Sequence, residues 1–359
     1  MYFDGHVHDR GGKEAYKGED EVHILRVAEI AGVDGILPMP NTNPPITTRE
    51  LVEEKLERAA KANSKVFYGL HFGLTSDTAQ LKEFVKVYNE IPEVVGGKLY
   101  MGHSVGDLAV TQMDKQRIVF RVLAGQSYKG IITTHGEKES LLRPELWISN
   151  SPISHCRARP PEAELASYHD AIQLAIEEHF AGWIHFTHVS IPEAVDYIDS
   201  IKKNLIGTEH CSLRGVSCDV TPHHLWANSE MMNRSGGIEL KVNPPLRDEN
   251  LQKQMPEKLK QGKIDFIATD SAPHHYKEKT GRVLDANGKQ VYMSGLPGIH
   301  LWPRIAKRLE TEGFPQELIS RVTFDNAVRI FGLEKLVKKS DNKGDINLHP
   351  YSYGEGFYL

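Results

Sequence analysis

The sequence predicts an α/β chain folded as one (β/α)8 TIM barrel. Short apolar runs alternate with longer amphipathic ones, about eight of each over about 330 residues, the rhythm of a parallel sheet with a helix after each strand. No glycine-rich phosphate loop follows the first strand, which argues against an open dinucleotide-binding sheet. Histidine, lysine and aspartate stand at the ends of the strand-like runs, where the loops of a barrel share one mouth.

The elements follow in order. Residues 3–7 form strand 1; within Phe3-Asp4-Gly5-His6-Val7-His8-Asp9-Arg10, alternation puts His6 and His8 on one face, about 6–7 Å apart at the usual rise. Residues 20–31 carry Val22, Leu25, Val27, Ala28 and Ala31 at helical spacing, Gly32 ends that helix, and residues 35–37 open strand 2. Pro44 and Pro45 make Asn41-Thr-Asn-Pro-Pro a loop, and Thr48 caps a helix running to about residue 62. Strands are expected over 65–71, 94–100, 130–135, 182–188, 216–221 and 264–270. Helices are expected over 77–88, 113–124, 162–179, 192–203 (begun by Pro192), 251–261, 297–311 and 315–332. Residues 336–359 are polar and aromatic without periodicity. They read as a tail packed on the outside of a barrel domain of residues 1–335.

The 359 residues are 40% hydrophobic and 25% charged, an ordinary globular profile. A net charge of −5 and a pI near 6.4 give no reason to expect nucleic acid or an anionic membrane as partner. No apolar run approaches membrane-spanning length, and residues 1–10 are already polar, so no secretory leader is expected. Cys156, Cys211 and Cys218 are too few for a disulfide framework; they read as small buried residues in a reducing, cytoplasmic setting.

Against the barrel rule, His6 and His8 end strand 1, Lys98 strand 4, His135 strand 5, His188 strand 6 and Asp270 strand 8. Imidazole and carboxylate are usual zinc ligands, and five strand ends meeting at one mouth predict a two-metal site. Arg10 can pair bidentately with a carboxylate, Asn41 offers an amide in the loop after strand 2, and His274 follows Asp270 by four residues. Met101-Gly-His-Ser-Val-Gly-Asp, with two glycines, reads as a mobile loop. Residues Arg159 and Glu162 read as packing and capping the helix before strand 6, His223 and His224 as lying behind the ligands, and His71 and His185 as core.

Several stretches together resemble the dihydroorotases of the cyclic amidohydrolase superfamily: Asp4-Gly-His-Val-His-Asp-Arg, Met39-Pro-Asn-Thr-Asn-Pro-Pro, Gly97-Lys-Leu-Tyr, Thr187-His-Val-Ser, Asp219-Val-Thr-Pro-His-His, Lys241-Val-Asn-Pro-Pro-Leu and Ala268-Thr-Asp-Ser-Ala-Pro-His. Gly295-Leu-Pro-Gly extends the likeness. The resemblance implies a metal-dependent hydrolase barrel, here with little or no β-sandwich domain because the chain opens directly on strand 1. It implies two zinc ions, one on His6, His8 and Asp270 and the other on His135 and His188, bridged by Lys98. An ammonium has no lone pair, so Lys98 would serve only as its carboxylated form. It further implies Asp270 as catalytic acid and base, Arg10, Asn41 and His274 on a free carboxylate, Asn243 at a pyrimidine ring, and Ser104 as the hydroxyl of a lid.

The activity so implied is reversible cyclisation of N-carbamoyl-L-aspartate to L-dihydroorotate in de novo pyrimidine biosynthesis. The partners implied are a small-molecule substrate, a second copy of the chain and aspartate transcarbamoylase. A hydantoinase or allantoinase would share the metal core without needing a carboxylate clamp. A non-catalytic partner of aspartate transcarbamoylase would have lost ligands, whereas all six positions are filled here. Ser271 departs from the many relatives that have histidine at its place.

Overall fold

Nine strands are described in the computed structural model, which covers residues 1–17, 19–104, 108–285 and 287–353. They are β1 (Tyr2–Val7), β2 (Val33–Pro38), β3 (Phe67–Tyr68), β4 (Leu70–Gly73), β5 (Val94–Tyr100), β6 (Ile131–His135), β7 (Trp183–Phe186), β8 (Gly215–Val220) and β9 (Phe266–Ile267). All neighbouring pairs are parallel, in two runs, β1 to β3 and β4 to β9. The single strand expected over 65–71 is broken at Gly69: β3 pairs with β2 and β4 with β5, so the third stave serves both runs. At the other seam a parallel bridge joins Val7 to Ser271, and the His8 amide donates to the Ser271 carbonyl at 2.7 Å. The result is the eight-stave α/β barrel that the sequence predicts. Strands covered on both faces are read as near-continuous apolar runs, and every residue of β1, β5 and β6 is buried.

The helices follow from local chemistry. Asp20 accepts from the His23 amide at 2.8 Å to start α1 (Glu21–Ile30), and Thr48 and Asp77 do the same for α2 (Arg49–Ala60) and α3 (Thr78–Glu90). Each such cap contributes about 1 kcal/mol. Gly32, at φ +74°, turns the chain from α1 into β2 against the backbone of Asn342 and Gly344, where a Cβ would not fit. Then come α4 (Met113–Gly125), α5 (Ser154–Ala158), α6 (Pro161–Glu177) and α7 (Pro192–Asn204), each but α5 close to its expected span.

Three late expectations need correction. The helix expected over 251–261 is two short ones, Glu249–Gln252 and Met255–Lys260, because Pro256 has no amide hydrogen and can only sit in a first turn. The helix of 297–311 starts at Trp302, with Pro303 in its first turn. The stretch 315–332 is interrupted by a wide turn at Arg321–Asp325.

No helix among the described residues is long and apolar enough to cross a membrane. Residues 340–353 run along α1: Asn342 Nδ2 donates to Glu29 O at 2.8 Å, and the Asp345 amide to Ile30 O at 3.0 Å. Residues 354–359 of the expected tail lie outside the described residues. The three cysteines are free; Cys218 is buried, which pushes its thiol up to about 12.

One buried ion pair ties the loops at the mouth. Arg247 Nη2 meets Glu164 Oε2 at 3.1 Å, Arg247 Nε donates to Ser190 Oγ at 2.9 Å, and the Ser190 amide donates to Glu164 Oε1 at 2.8 Å. Glu164→Ala is expected to cost about 3–5 kcal/mol, because it strands a buried guanidinium. That corresponds to a melting temperature lower by roughly 4–7 °C, measured by calorimetry. An unchanged Tm would show that water reaches Arg247.

Candidate active site

The strand ends place the candidate ligands. His6 lies in β1 and His8 one residue beyond it, with ring centroids 5.2 Å apart. His135 ends β6, and Lys98 lies within β5 rather than at its end. The strands expected to reach His188 and Asp270 stop earlier, at Phe186 and Ile267. The reason is backbone: His188 has φ +42° and Asp270 φ +48°, the left-handed region, which breaks strand pairing. Holding a non-glycine residue there costs about 1–2 kcal/mol, and the surrounding bonds must supply it. Asp219 Oδ1 accepts from the His188 amide at 2.7 Å. Asp4 accepts from the Thr269 amide at 3.0 Å, from Thr269 Oγ1 at 2.6 Å and from Trp302 Nε1 at 2.9 Å, pinning the residue before Asp270.

His6 Nε2, His8 Nε2 and Asp270 Oδ1 form a triangle with edges of 3.2, 3.2 and 2.9 Å. Tetrahedral ligands about 2.0–2.1 Å from a zinc ion lie about 3.3 Å apart, so this donor set fits such an ion. A His188 nitrogen joins His6 and Asp270 in one cluster, the three ligand atoms within 4.8 Å of one another. His135 Nδ1 lies 2.9 Å from His188 Nε2. Burial holds His6 and His188 well below the usual imidazole range and lowers His135 as well, so their lone pairs are available. Outer groups set the tautomers. His8 Nδ1 pairs with Asn41 Oδ1 at 2.7 Å, which leaves Nε2 to face Asp270, and Glu137 lies 3.3 Å from His135 Nε2. Lys98 is fully buried; its Nζ donates to Thr187 Oγ1 at 3.1 Å, and Thr187 Oγ1 lies 3.2 Å from His188 Nε2. Burial pushes the Lys98 amine down to about 7.

Beside this cluster is a narrow cavity of about 20 Å³, lined by His8, Arg10, Asn41, Ser104, Asn243 and Asp270, with Ala272, Ser294 and Gly295. Arg10 is 1% exposed, and its Nε has no hydrogen-bond partner among the described residues. Asn41, expected as a substrate donor, is thus also the group that orients His8. His274 does not line the cavity; its Nε2 donates to the Ser294 carbonyl at 3.0 Å, so it stands one layer behind. Gly295, at φ +139°, lets the chain pass close to Ala272 and His274 there. Ser104 reaches the cavity wall, while residues 105–107 of the expected lid loop lie outside the described residues.

Four supports were missed in the sequence. Glu137 is held well below the usual carboxylate range by the Arg159 guanidinium, which overcomes the effect of its burial. Asp219 and Asp4 carry the backbone strain just described. Tyr353, near the end of the described chain, accepts from the His274 amide at 2.7 Å and donates to the His274 carbonyl at 3.1 Å. The only sequence signals were carboxylates near histidines, which are too common to single out. Ser271, the departure from the family pattern, is buried and accepts from the Gly298 amide at 3.0 Å.

The mouth of this α/β barrel gathers four histidines, a buried lysine and an aspartate, a donor set that could hold metal for hydrolytic chemistry. No protein-family model matches the chain. Curated relatives do: it is 29% identical to the dihydroorotase of Halobacterium salinarum over 92% of the chain, and 30% identical to that of Methanosarcina mazei over 87%. It is 31% identical to the dihydroorotase of Aeropyrum pernix over 84%. The chain spans 71%, 65% and 62% of the lengths of these three relatives. Among solved structures, an L-hydantoinase from Arthrobacter aurescens matches with a TM-score of 0.77 at 23% identity, over 93% of this chain and 71% of that one. A dihydropyrimidinase from Brevibacillus agri matches with a TM-score of 0.75 at 19% identity, over 93% and 71%. These last two establish the fold. Over most of its length the chain is similar to curated dihydroorotases.

Proposed function

We propose that the chain is a dihydroorotase, closing N-carbamoyl-L-aspartate to L-dihydroorotate and catalysing the reverse hydrolysis. The observation that carries this reading is Arg10. Its guanidinium is buried beside the His/Asp cluster, and no carboxylate of the described residues pairs with it. A buried unpaired cation is costly, and a substrate carboxylate relieves that cost. Hydantoins and allantoin carry no carboxylate to do so, which disfavours them as substrates.

Two divalent ions, zinc by donor type, would be held by His6, His8 and Asp270 and by His135 and His188, with carboxylated Lys98 between them; when bound they supply an acidified water and polarise the scissile carbonyl. The protein's own groups do the rest. Lys98, with its amine pushed down to about 7, is substantially unprotonated near neutrality. Only that form attacks carbon dioxide, forming an N–C bond and releasing a proton to solvent. Asp270 takes the proton of the attacking water and delivers it to the leaving ring nitrogen; cyclisation runs these transfers backwards. Arg10 and Asn41 grip the carboxylate, with His274 holding the Ser294–Gly295 wall behind them. Asn243 faces the ring. Ser104, on the wall of the cavity, would be the lid hydroxyl.

Arg10→Met tests the reading. Losing a charge-assisted pair of about 1.5–3 kcal/mol raises KM for dihydroorotate by about 10- to 100-fold with kcat little changed. The same substitution leaves Tm equal or higher, because it removes a buried Nε that has no partner among the described residues. An unchanged KM, or hydantoin turned over faster than dihydroorotate by the wild type on a zinc-loaded assay, would sink it.

A further inference from the structure

Asn243 has its amide orientation imposed from two sides. His155 Nε2 lies 2.9 Å from the Val242 carbonyl and 3.0 Å from Asn243 Oδ1. A backbone carbonyl can only accept, so this Nε2 carries the hydrogen, and Asn243 must turn its oxygen toward it. His155 is buried, which keeps the ring well below the usual imidazole range and hence neutral, with one N–H. From the other side, Lys241 Nζ donates to Ser294 Oγ at 2.7 Å and to the Tyr292 carbonyl at 2.8 Å. Ser294 Oγ, already accepting, sends its own hydrogen to Asn243 Oδ1 at 3.2 Å. Both lone-pair directions of that oxygen are therefore occupied by the protein. The Asn243 NH2 group is what remains for the cavity it lines with Arg10 and Asp270.

The support is itself buttressed. Trp147 packs edge-on against His155, with centroids 5.7 Å apart, and Lys241 Nζ stands 5.6 Å from the Trp147 ring. The two wall segments show alternate residues to two spaces. Asn243 and Ser294 face the candidate site, while Lys241 and Tyr292 face an outer cavity of about 340 Å³ that His155 and Trp147 also line.

We propose that His155 and the Lys241–Ser294 pair are positioning residues that hold Asn243 as an obligate hydrogen-bond donor, so that the site selects substrates presenting a carbonyl oxygen at that point. Dihydroorotate and carbamoyl aspartate both carry carbonyl acceptors that could meet this donor; a ring presenting N–H at that point meets donor against donor. The proposal rests on the dihydroorotase reading only for the identity of the ring.

The test compares His155→Phe, His155→Gln, Ser294→Ala and Asn243→Ala on metal-loaded protein, with dihydroorotate, hydantoin and dihydrouracil as substrates. Loss of one imposed bond is expected to raise KM about tenfold with kcat within about threefold, and His155→Gln, which keeps a donor, recovers most of it. Because His155 acts through Asn243, the double variant His155→Phe/Asn243→Ala is expected to be no worse than Asn243→Ala alone. Effects that multiply, or a kcat loss without a KM change, overturn the proposal. Wild-type failure on dihydroorotate with turnover of another ring overturns the substrate reading, and the positioning claim is then judged on that other ring. A readout independent of turnover is the side-chain amide NMR signal of 15N-asparagine-labelled protein that disappears in Asn243→Ala. It is expected to shift in both His155→Phe and Ser294→Ala, and an unmoved signal in both overturns the proposal.

Discussion

Asp270→Asn is expected to lower kcat for dihydroorotate hydrolysis by about 10³-fold, within the 10²–10⁴ range that positioned proton transfer contributes. Asparagine keeps the shape and one oxygen of the side chain, so the left-handed backbone and the Thr269–Asp4 bonds beneath it have no reason to change. What is lost is the group that can take a proton. Asp270 Oδ1 stands 2.9 Å from His8 Nε2 and 3.2 Å from His6 Nε2, and its residue lines the cavity proposed to take the ring. On the proposed reading this carboxylate would lie near both the attacking water and the leaving nitrogen, and so could serve both transfers. Metal content is measured alongside, because the same carboxylate is a proposed ligand. A variant that retains two metals per chain and more than about one-tenth of wild-type turnover would remove Asp270 from the acid–base role.

Lys98→Met is expected to abolish measurable turnover and to reduce tightly held metal from two ions per chain to one or none. Methionine matches the lysine stem in length but offers no nitrogen to carboxylate. The fold should survive, since replacing a fully buried, desolvated amine by an apolar side chain of similar volume is neutral or stabilising. Thr187 Oγ1 keeps its own bond to the Thr134 carbonyl at 2.7 Å. Metal analysis of the purified variant, paired with a thermal melt, checks both halves. Full metal occupancy with retained activity would show that Lys98 does not hold the ions.

Much of this was legible in the chain itself. Alternation in Asp4-Gly-His-Val-His placed His6 and His8 on one face, because a strand's period of two is a covalent property. Glycine and proline punctuation fixed most helix ends for the same local reason; Pro256 carries that signal too, whereas the wide turn at Arg321–Asp325 contains neither residue. The left-handed backbone of His188 and Asp270 was not legible, since nothing in either side chain requires it. It is supported from neighbouring strands by Asp219, which accepts from the His188 amide, and by Asp4, which accepts from Thr269 just before Asp270. The resemblance implies His274 on the free carboxylate; in three dimensions its Nε2 is engaged by Ser294, and Tyr353, 79 residues on, holds its backbone.

By itself, then, the sequence determined the barrel, and it marked six candidate ligand positions and Arg10 as the candidate carboxylate clamp. These depend on residue type and short-range period. Only the tertiary structure decided which nitrogen of each histidine faces inward, that Arg10 Nε is buried without a partner among the described residues, and that Asn243 turns its amide hydrogens to the cavity. Those properties arise from hydrogen bonds between residues far apart in the chain, made binding by burial, where an unpaired polar group is too costly to leave.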